Sequence, residues 1–318
     1  MGSFVNVVVH RLPAGESVVR PRSRCPRCRR WIPWYENIPV LSFLALRGRC
    51  RGCGGAISWR YPLVEALTGA LFAAAAWLLV VRWPGGALDP DRYLHLASGL
   101  LLLGALTALS FIDLDRRILP DAITRPGTAA GLLLSVLHPS LQDPRGLGGL
   151  PDAGGALLLS AAGVAAGYGS LWIVSLLGAR AFGREAMGLG DAKLLAMIGA
   201  FTGPLGAMLA AALGLLLGLL MGGVRLLATG DASFPFGPSL AAGGAAVFLA
   251  RREVTDALER AAELGSDPRG GLAVAAACAV LLLWIRTRLP RGVFLVLLLL
   301  VAAMTGLDLW LLLARPGP

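Results

Sequence analysis

The chain has 318 residues, of which 56% are hydrophobic and 15% are charged, and its formal net charge is +10. A mean hydropathy of +0.70 excludes a soluble globular protein, because such a protein needs far less apolar surface. The positive charge is almost wholly arginine, with Lys193 as the only lysine. We attribute it to loops held in the cytoplasm beside anionic lipid, and we expect no nucleic-acid partner.

Residues 1–12 form a first apolar segment that is short for a membrane span. Its apolar part covers about nine residues, and a spanning helix needs roughly 20. We therefore predict a truncated or re-entrant first membrane segment that ends at the turn around Pro13. Asn6 lies within this segment. We interpret it either as a polar contact between helices or as a capping or packing residue.

Residues 13–61 form an arginine-rich polar insert with two CxxC motifs, which pair Cys25 with Cys28 and Cys50 with Cys53. Two such motifs about twenty residues apart are typical of a four-thiolate zinc site. The alternative is disulfide bonding, which the reducing cytoplasm expected for an arginine-rich loop disfavours. We predict a structural zinc ion, whose binding supplies folding energy to an insert with little core of its own.

Residues 62–250 contain a series of apolar runs that predict a helical membrane bundle. The expected helices cover residues 62–83, 94–112, 122–137, 156–177, 194–203, 204–227 and 239–250. Glu65 lies in the first turn of the first helix, where it either stabilises the helix N-terminus or faces a functional site. The predicted fold class is an all-α polytopic membrane protein, a helical bundle with a small cytoplasmic zinc-binding insert.

Two carboxylates stand at the ends of predicted membrane helices, where an ionisable group is costly and therefore indicates function. Asp113 ends the run 94–112, and Asp191 ends the tetrapeptide GLGD just before the next apolar run. The two glycines of the tetrapeptide let the backbone bend and let a neighbouring segment come close. We predict that Asp113 and Asp191 form an aspartic protease dyad. Supporting roles are assigned to Gly188, Gly190, Lys193, Asn6 and Glu65.

The other ionisable residues of the bundle are interpreted without a catalytic role. Asp115 and Asp121 follow Asp113 closely and compete with it, but we interpret both as solvated loop charges, or Asp121 as a helix cap. The histidines are scattered along the sequence and support no histidine metal site or triad. They are His10, His95 and His138.

Residues 251–318 extend beyond the bundle. Their first part, 251–269, is polar and predicts an amphipathic surface helix. Two further apolar runs, 271–285 and 293–314, predict two more membrane helices. We treat this extension as a separate region of the chain.

Residues 2–250 resemble the prepilin peptidases, also called type IV leader peptidases. The resemblance rests on motifs that follow one another in the order of that family. These are GSFVNVVVHRLP, the two CxxC motifs around ENIPVLSFLALRGRC, RYPLVE, IDLDRRILPD, MGLGDAKLLAMIGA and PFGPSLAAGG. The ordered set is specific, whereas GxGD alone also occurs in presenilin-like proteases. The chain differs from the family pattern in its short first segment, a longer loop at 138–155 and the extension after residue 250.

The resemblance implies a bifunctional enzyme of the inner membrane, active in type IV pilus assembly and protein secretion. Such an enzyme cleaves the basic leader of prepilins or pseudopilins after a glycine, and then methylates the new N-terminus with S-adenosylmethionine. The resemblance assigns catalysis to Asp113 and Asp191 and associates the cysteine insert with methylation. Prepilin precursors and membrane lipids are the implied partners, with the active site and the insert on the cytoplasmic side. It assigns no residue to S-adenosylmethionine binding.

Two other functions stay open at this point. A membrane-anchored zinc-module assembly protein without peptidase activity would explain the cysteines but not the two carboxylates. A carboxylate-based proton-coupled transporter would explain the carboxylates but not the cysteine insert. A peptidase explains the two carboxylates, because one ionised carboxylate activates water while the other, protonated, polarises the scissile carbonyl.

Overall fold

The computed structural model describes residues 1–81, 90–142, 152–182, 188–230, 234–251 and 253. Within these ranges the regular secondary structure is helical, apart from two isolated β-bridges in the insert. The α-helices are α1 (Gly2–Arg11), α2 (Leu41–Ala45), α3 (Arg60–Ala76), α4 (Pro90–Arg116), α5 (Asp121–Leu137), α6 (Ala153–Phe182), α7 (Leu189–Thr229) and α8 (Gly237–Leu249). The predicted all-α fold class is confirmed.

Four helical segments of the described ranges are long and apolar enough to cross a membrane. They are Arg60–Val81, Pro90–Arg116, Ala153–Leu176 and Leu189–Thr229. The first of them includes a π-helical turn, Trp77–Val81, that continues α3. The protein is therefore a multi-pass membrane protein. Apart from Arg251 and Glu253, the predicted C-terminal extension lies outside the described residues.

The apolar core follows α4. Leu102, Leu103 and Leu109 of this helix are almost completely buried in a cluster with α7 and α8. A second cluster surrounds the end of α4, where Phe111 and Ile112 pack against α1 and α3. The central position of α4 means that its last turns, which carry Asp113, are enclosed by helices from both clusters.

The helix α7 is broken at Gly203, whose φ of 72° and ψ of −178° are not helical. A Cβ built on Gly199 would lie 3.2 Å from the Cβ of Ala207. A straight helix would separate residues eight apart by about 12 Å. The chain therefore turns back at Gly203 and divides α7 into α7a, residues 189–202, and α7b, residues 204–229. This agrees with the two helices predicted to meet here, since proline cannot continue the hydrogen-bond ladder.

The break frees a backbone carbonyl, and polar side chains satisfy it. Pro204 has no N–H to donate to the carbonyl of Ala200. Gln142 Nε2 donates to this oxygen at 3.0 Å, and Ser160 Oγ donates to it at 2.7 Å. Since an unpaired carbonyl is costly in an apolar environment, these two side chains stabilise the reversal.

The first half of α7 packs closely against α6 through glycines. A Cβ on Gly163 or on Gly199 would overlap backbone atoms of the other helix. A Cβ on Gly167 would lie 2.5 Å from the carbonyl oxygen of Leu195. Small residues at membrane helix interfaces let the backbones approach in this way. The packing fixes the direction of α7a and therefore the position of Asp191 at its start.

His95 and His138 lie together at the end of the bundle opposite to Asp113. His138 Nε2 and His95 Nδ1 are 2.8 Å apart, and both side chains are buried. The Asp91 carboxylate lies 3.7 Å from His138 Nδ1, and Ser140 Oγ lies 3.1 Å from the same nitrogen. The two histidines are 43 residues apart in the sequence and meet because the end of α5 packs beside the start of α4. Among the described residues, the group that could hold a metal ion consists of the four cysteines and includes no histidine.

Candidate active site

Asp113 lies near the end of α4 and is 6% exposed. The backbone N–H of Gly237, the first residue of α8, donates to its Oδ2 at 3.1 Å. A Cβ on Gly237 would lie 2.6 Å from the same oxygen. Only glycine therefore lets α8 approach this closely, and the contact orients the carboxyl group of Asp113.

Asp191 lies in the first turn of α7 and is half-buried. This is the predicted position at a helix N-terminus, where the helix dipole stabilises a negative charge. The carboxylate of Asp191 is close enough to repel that of Asp113 electrostatically, and the nearby Arg117 attracts Asp113. The end of α4 and the start of α7 thus bring two carboxylates to one site.

The segment after α4 packs directly against the start of α7. A Cβ on Gly190 would lie 3.2 Å from the Cβ of Leu119, so glycine gives this segment room. Lys193 Nζ donates to Asp121 Oδ1 at 2.6 Å and joins α7 to the start of α5. Gly188 precedes the helix, and among the described residues a Cβ there would meet Asp191 and Gly190 alone within 4 Å. Gly190 and Lys193 therefore fix how the two carboxylate-bearing helices meet.

Asp115 and Asp121 both form ion pairs, and both belong to helices rather than to a loop. Their side chains remain 22% and 37% exposed, which agrees with their interpretation as solvated charges. Asp115 Oδ2 lies 2.5 Å from Arg60 Nη2 at the start of α3. Asp121 Oδ2 lies 2.6 Å from Arg125 Nη2, in addition to its contact with Lys193. Asp121 is the first residue of α5 and follows the N-cap Pro120, so it does not occupy the N-cap position itself.

Glu65 and Asn6 connect α1, α3 and the insert. Glu65 accepts a hydrogen bond of 2.8 Å from the backbone N–H of Val40 in the insert, and another from Ser3 of α1. Asn6 Nδ2 donates to the carbonyl of Tyr61 at 3.0 Å. The predicted first-turn role of Glu65 is wrong, because α3 begins at Arg60. Glu65 anchors the insert to the bundle instead.

The cysteine cluster of the insert has the geometry of a metal site. The four Sγ atoms lie within 4.8 Å of one another. Those of Cys25 and Cys53 are 3.9 Å apart, close to the edge of about 3.8 Å that a tetrahedron with Zn–S bonds of about 2.3 Å requires. The backbone N–H of Cys28 stabilises the Cys25 thiolate and lowers the pKa of this thiol to about 6. The donor set can hold a thiophilic metal ion and fits zinc.

The two CxxC motifs form matching turns. The N–H of Arg29 donates to the carbonyl of Cys25 at 2.9 Å, and that of Gly54 donates to the carbonyl of Cys50 at 2.8 Å. Arg29 and Gly54 hold equivalent positions, with φ of 56° and 67°. Glycine adopts this left-handed conformation freely, whereas arginine does so at a cost.

Two residues of these sites were not identified from the sequence. Gly237 lies in the PFGPS motif, which was quoted for the resemblance but carried no role. Glu36 pairs with Arg30 at 2.9 Å and with Arg51 at 3.3 Å, and so joins the two cysteine turns. The PFGPS motif was a sequence signal from which a role for Gly237 could have been inferred. The Glu36 contacts had no such signal, since they form between irregular loops.

Two protein-family models together match most of the described chain. The model of the bacterial peptidase A24 N-terminal domain matches residues 1–79, and that of the type IV leader peptidase family matches residues 100–223. No solved structure matches the chain.

Several relatives carry the name prepilin leader peptidase/N-methyltransferase. The one from Klebsiella pneumoniae is 42% identical over 210 residues, which cover 64% of this chain and 80% of that protein. The one from Aeromonas hydrophila is 39% identical over 271 residues, which cover 77% and 85%. The one from Myxococcus xanthus is 47% identical over 201 residues, 63% of this chain, and the match spans about half (52%) of that relative.

Proposed function

Because the chain belongs to the type IV leader peptidase family, we propose that it is a membrane-embedded prepilin peptidase. The proposed reaction removes the leader of type IV prepilins or pseudopilins by hydrolysis after a glycine. The observation that carries this proposal is that Asp113 and Asp191 lie at the same end of the bundle, near enough for their charges to interact. The family match favours a peptidase over the zinc-module assembly protein and the proton-coupled transporter.

In the proposed mechanism, Asp113 and Asp191 share one proton. The ionised carboxylate accepts a proton from water, whose oxygen attacks the scissile carbonyl carbon, while the protonated carboxyl donates to the carbonyl oxygen. Collapse of the tetrahedral intermediate breaks the C–N bond, and a proton passes to the leaving amine. The two roles belong to the pair, because strongly interacting carboxyls titrate as a unit.

The surrounding contacts would hold this pair in a working geometry. The N–H of Gly237 fixes one oxygen of Asp113. The contact of Leu119 with Gly190 and the Lys193–Asp121 ion pair fix the start of α7 against the segment that follows α4. Catalysis depends on such support, since a displacement of about 1 Å can cost about 100-fold in rate.

We assign the active site and the cysteine insert to the cytoplasmic side of the inner membrane. Arg116 and Arg117 directly follow the turn of Asp113, and the arginine-rich insert joins α1 to α3 at the same end of the bundle. Positive charge of this kind is retained on the cytoplasmic side. Water and the leader of the substrate would then reach the aspartates from the cytoplasm.

We further propose that the mature N-terminus is methylated, with S-adenosylmethionine as the second substrate. The names of the relatives support this activity. The methyl group moves from the sulfonium to the amine nitrogen, which loses a proton, and the thioether leaves. Zinc held by the four cysteines would stabilise the fold of the insert, which offers a polar surface outside the lipid. The Glu65–Val40 contact keeps this surface next to the bundle.

A processing assay tests the proposal. The purified full-length protein in detergent is mixed with a prepilin, and leader loss and N-terminal methylation are followed by mass spectrometry. We expect cleavage after a glycine, followed by a gain of one methyl group when S-adenosylmethionine is present. An intact prepilin after prolonged incubation with folded protein would contradict the proposed peptidase.

A further inference from the structure

A groove of about 290 Å³ lies between α5, α6 and α7a. Thr124, Arg125 and Lys193 line its polar end, and Ala129, Leu132 and Tyr168 line its apolar end. Lys193 follows Asp191 by two residues, which turns its side chain about 200° around the helix. The groove therefore faces away from the carboxylate pair and is a separate surface of the bundle.

The lining of the groove changes from charged to apolar along the length of α5. Arg125 and Lys193 lie in the first two turns of α5 and α7, at the same end of the bundle as Asp113. Ala129 and Leu132 lie about 6 Å and 10 Å further along α5 than Arg125. Ala129 is exposed, and Tyr168 on α6 is 37% exposed. The groove thus runs from the level of the membrane interface into the apolar layer.

The polar end of the groove keeps a net positive charge. Arg125 and Lys193 each lie 2.6 Å from an oxygen of Asp121, so that two cations share one carboxylate. The side chains of Arg125 and Lys193 are 74% and 33% exposed. Their remaining N–H donors are therefore accessible to a ligand that carries a negative charge.

We propose that this groove binds one anionic phospholipid, with the phosphate at Arg125 and Lys193 and an acyl chain along Ala129 and Leu132. The positive charge at the polar end of the groove matches the phosphate of such a molecule, and the apolar end matches its acyl chain. The binding does not depend on the proposed peptidase activity.

Native mass spectrometry of the full-length protein in mild detergent tests this site. The protein is titrated with phosphatidylglycerol and, in parallel, with phosphatidylcholine and with inorganic phosphate. We expect one tightly retained phosphatidylglycerol and at least about tenfold weaker retention of phosphatidylcholine, because the choline cation of the latter is repelled by Arg125 and Lys193. We expect no retained phosphate ion, because it has no acyl chain to pack along the apolar end of the groove.

Two matched pairs of variants locate the lipid. Arg125→Gln should weaken phosphatidylglycerol retention about tenfold, whereas Arg180→Gln, at an exposed arginine near the same end of α6, should not. Ala129→Phe fills the groove and should abolish retention, whereas Ala162→Phe, at an exposed alanine outside the lining, should not. If a phenylalanine variant aggregates, leucine at the same two positions replaces it.

Each remaining outcome overturns the proposal. Equal retention of the two lipids would show that charge plays no part. An equal loss of phosphatidylglycerol retention in Ala129→Phe and Ala162→Phe, or no loss in either variant, would show that the lipid lies elsewhere. Displacement of the bound lipid by a peptide with the membrane segment of a prepilin, together with crosslinking of that peptide to Ala129→Cys, would assign the groove to the substrate.

Discussion

The backbone N–H of Gly237 donates a hydrogen bond of 3.1 Å to the carboxylate of Asp113. The contact joins the first residue of α8 to the end of α4 across a buried interface. A backbone donor cannot rotate away as a side chain can, so it holds one oxygen of the carboxyl in a fixed direction. The geometry of the proposed catalytic pair thus depends on a helix that carries neither aspartate.

Replacing either member of the pair by asparagine should abolish leader removal. An amide cannot exchange the proton that the mechanism requires, although it has nearly the same shape as the carboxyl. We expect Asp113→Asn and Asp191→Asn to reduce cleavage below detection while each variant still elutes as a folded protein in detergent. Leader removal is followed by mass spectrometry.

Asp115→Asn and Asp121→Asn serve as controls for that experiment. Both carboxylates form ion pairs with other residues, at Arg60 and at Lys193. We expect both variants to cleave the prepilin, Asp115→Asn with at most a modest loss of thermal stability. Asp121→Asn should cleave more slowly than the unchanged protein, because it weakens the ion pair with Lys193 that holds the start of α7. Normal processing by Asp113→Asn or Asp191→Asn would rule out the dyad.

Gly237→Ala should slow cleavage by about 10–100-fold, because a small displacement at a catalytic group has effects of this size. The added Cβ would lie 2.6 Å from Asp113 Oδ2 and would push α8 or the carboxyl away. The measurement is the rate of leader removal at saturating prepilin. Gly69→Ala is the matched control, since a Cβ there has no neighbouring atom within 4 Å in the part of the chain that the structure describes. Equal rates for both variants would show that α8 does not orient Asp113.

The insert should contain one zinc ion per chain, bound by Cys25, Cys28, Cys50 and Cys53. Four thiolates within 4.8 Å of one another supply the complete ligand set of a structural zinc site. Elemental analysis of freshly reduced, full-length protein should give a zinc-to-protein ratio near one, and Cys50→Ser should lower it. A protein without zinc, or with disulfide bonds among these cysteines in cells, would contradict this assignment.

The equivalent positions of Arg29 and Gly54 allow a paired test of the cysteine turns. Gly54→Ala places a Cβ in the left-handed region and should destabilise the turn by about 1–2 kcal/mol. Arg29→Gly removes the same strain and should stabilise its turn. The rate of zinc release to a chelator should rise in the first variant and fall in the second. Changes in the same direction would mean that backbone strain does not limit zinc release.

Replacing Cys25 and Cys28 together by serine should impair methylation more than cleavage. Both aspartates lie on membrane helices, whereas the metal site lies in the insert. Loss of zinc should unfold the insert and leave the packed bundle in place. The ratio of methylated to unmethylated mature pilin, measured by mass spectrometry, should fall. A parallel decrease of both activities would make the insert a shared scaffold and contradict the proposed division.

The sequence predicted those features that depend on local patterns. Apolar runs of membrane length placed the helices, and the Gly-Pro pair at 203–204 marked the break in α7. The spacing of the cysteines predicted their cluster. Each of these features follows from a short sequence pattern with one physical cause. The cause is burial in lipid for the helices, the missing N–H donor of proline for the break, and metal-ligand geometry for the cysteines.

The contacts between helix ends were not predictable in this way. Asp115, Asp121, His95 and His138 each have a partner from another helix. Such pairs form where the ends of neighbouring helices lie at the same level along the bundle axis. The local hydrophobic pattern of a single sequence does not indicate these levels. The contact of Glu65 with Val40 was not predictable for the same reason, since Val40 lies in an irregular part of the insert.

The reversal of α7 at Gly203 decides whether the chain crosses the membrane once or twice between Asp191 and Gly237. An unbroken helix of 41 residues would be about 60 Å long and would deliver the chain to the opposite leaflet. With one turn back, the chain returns to the leaflet from which α7 started, and α8 begins beside Asp113. A single glycine conformation on the far side of the bundle thereby decides on which side of the membrane α8 begins.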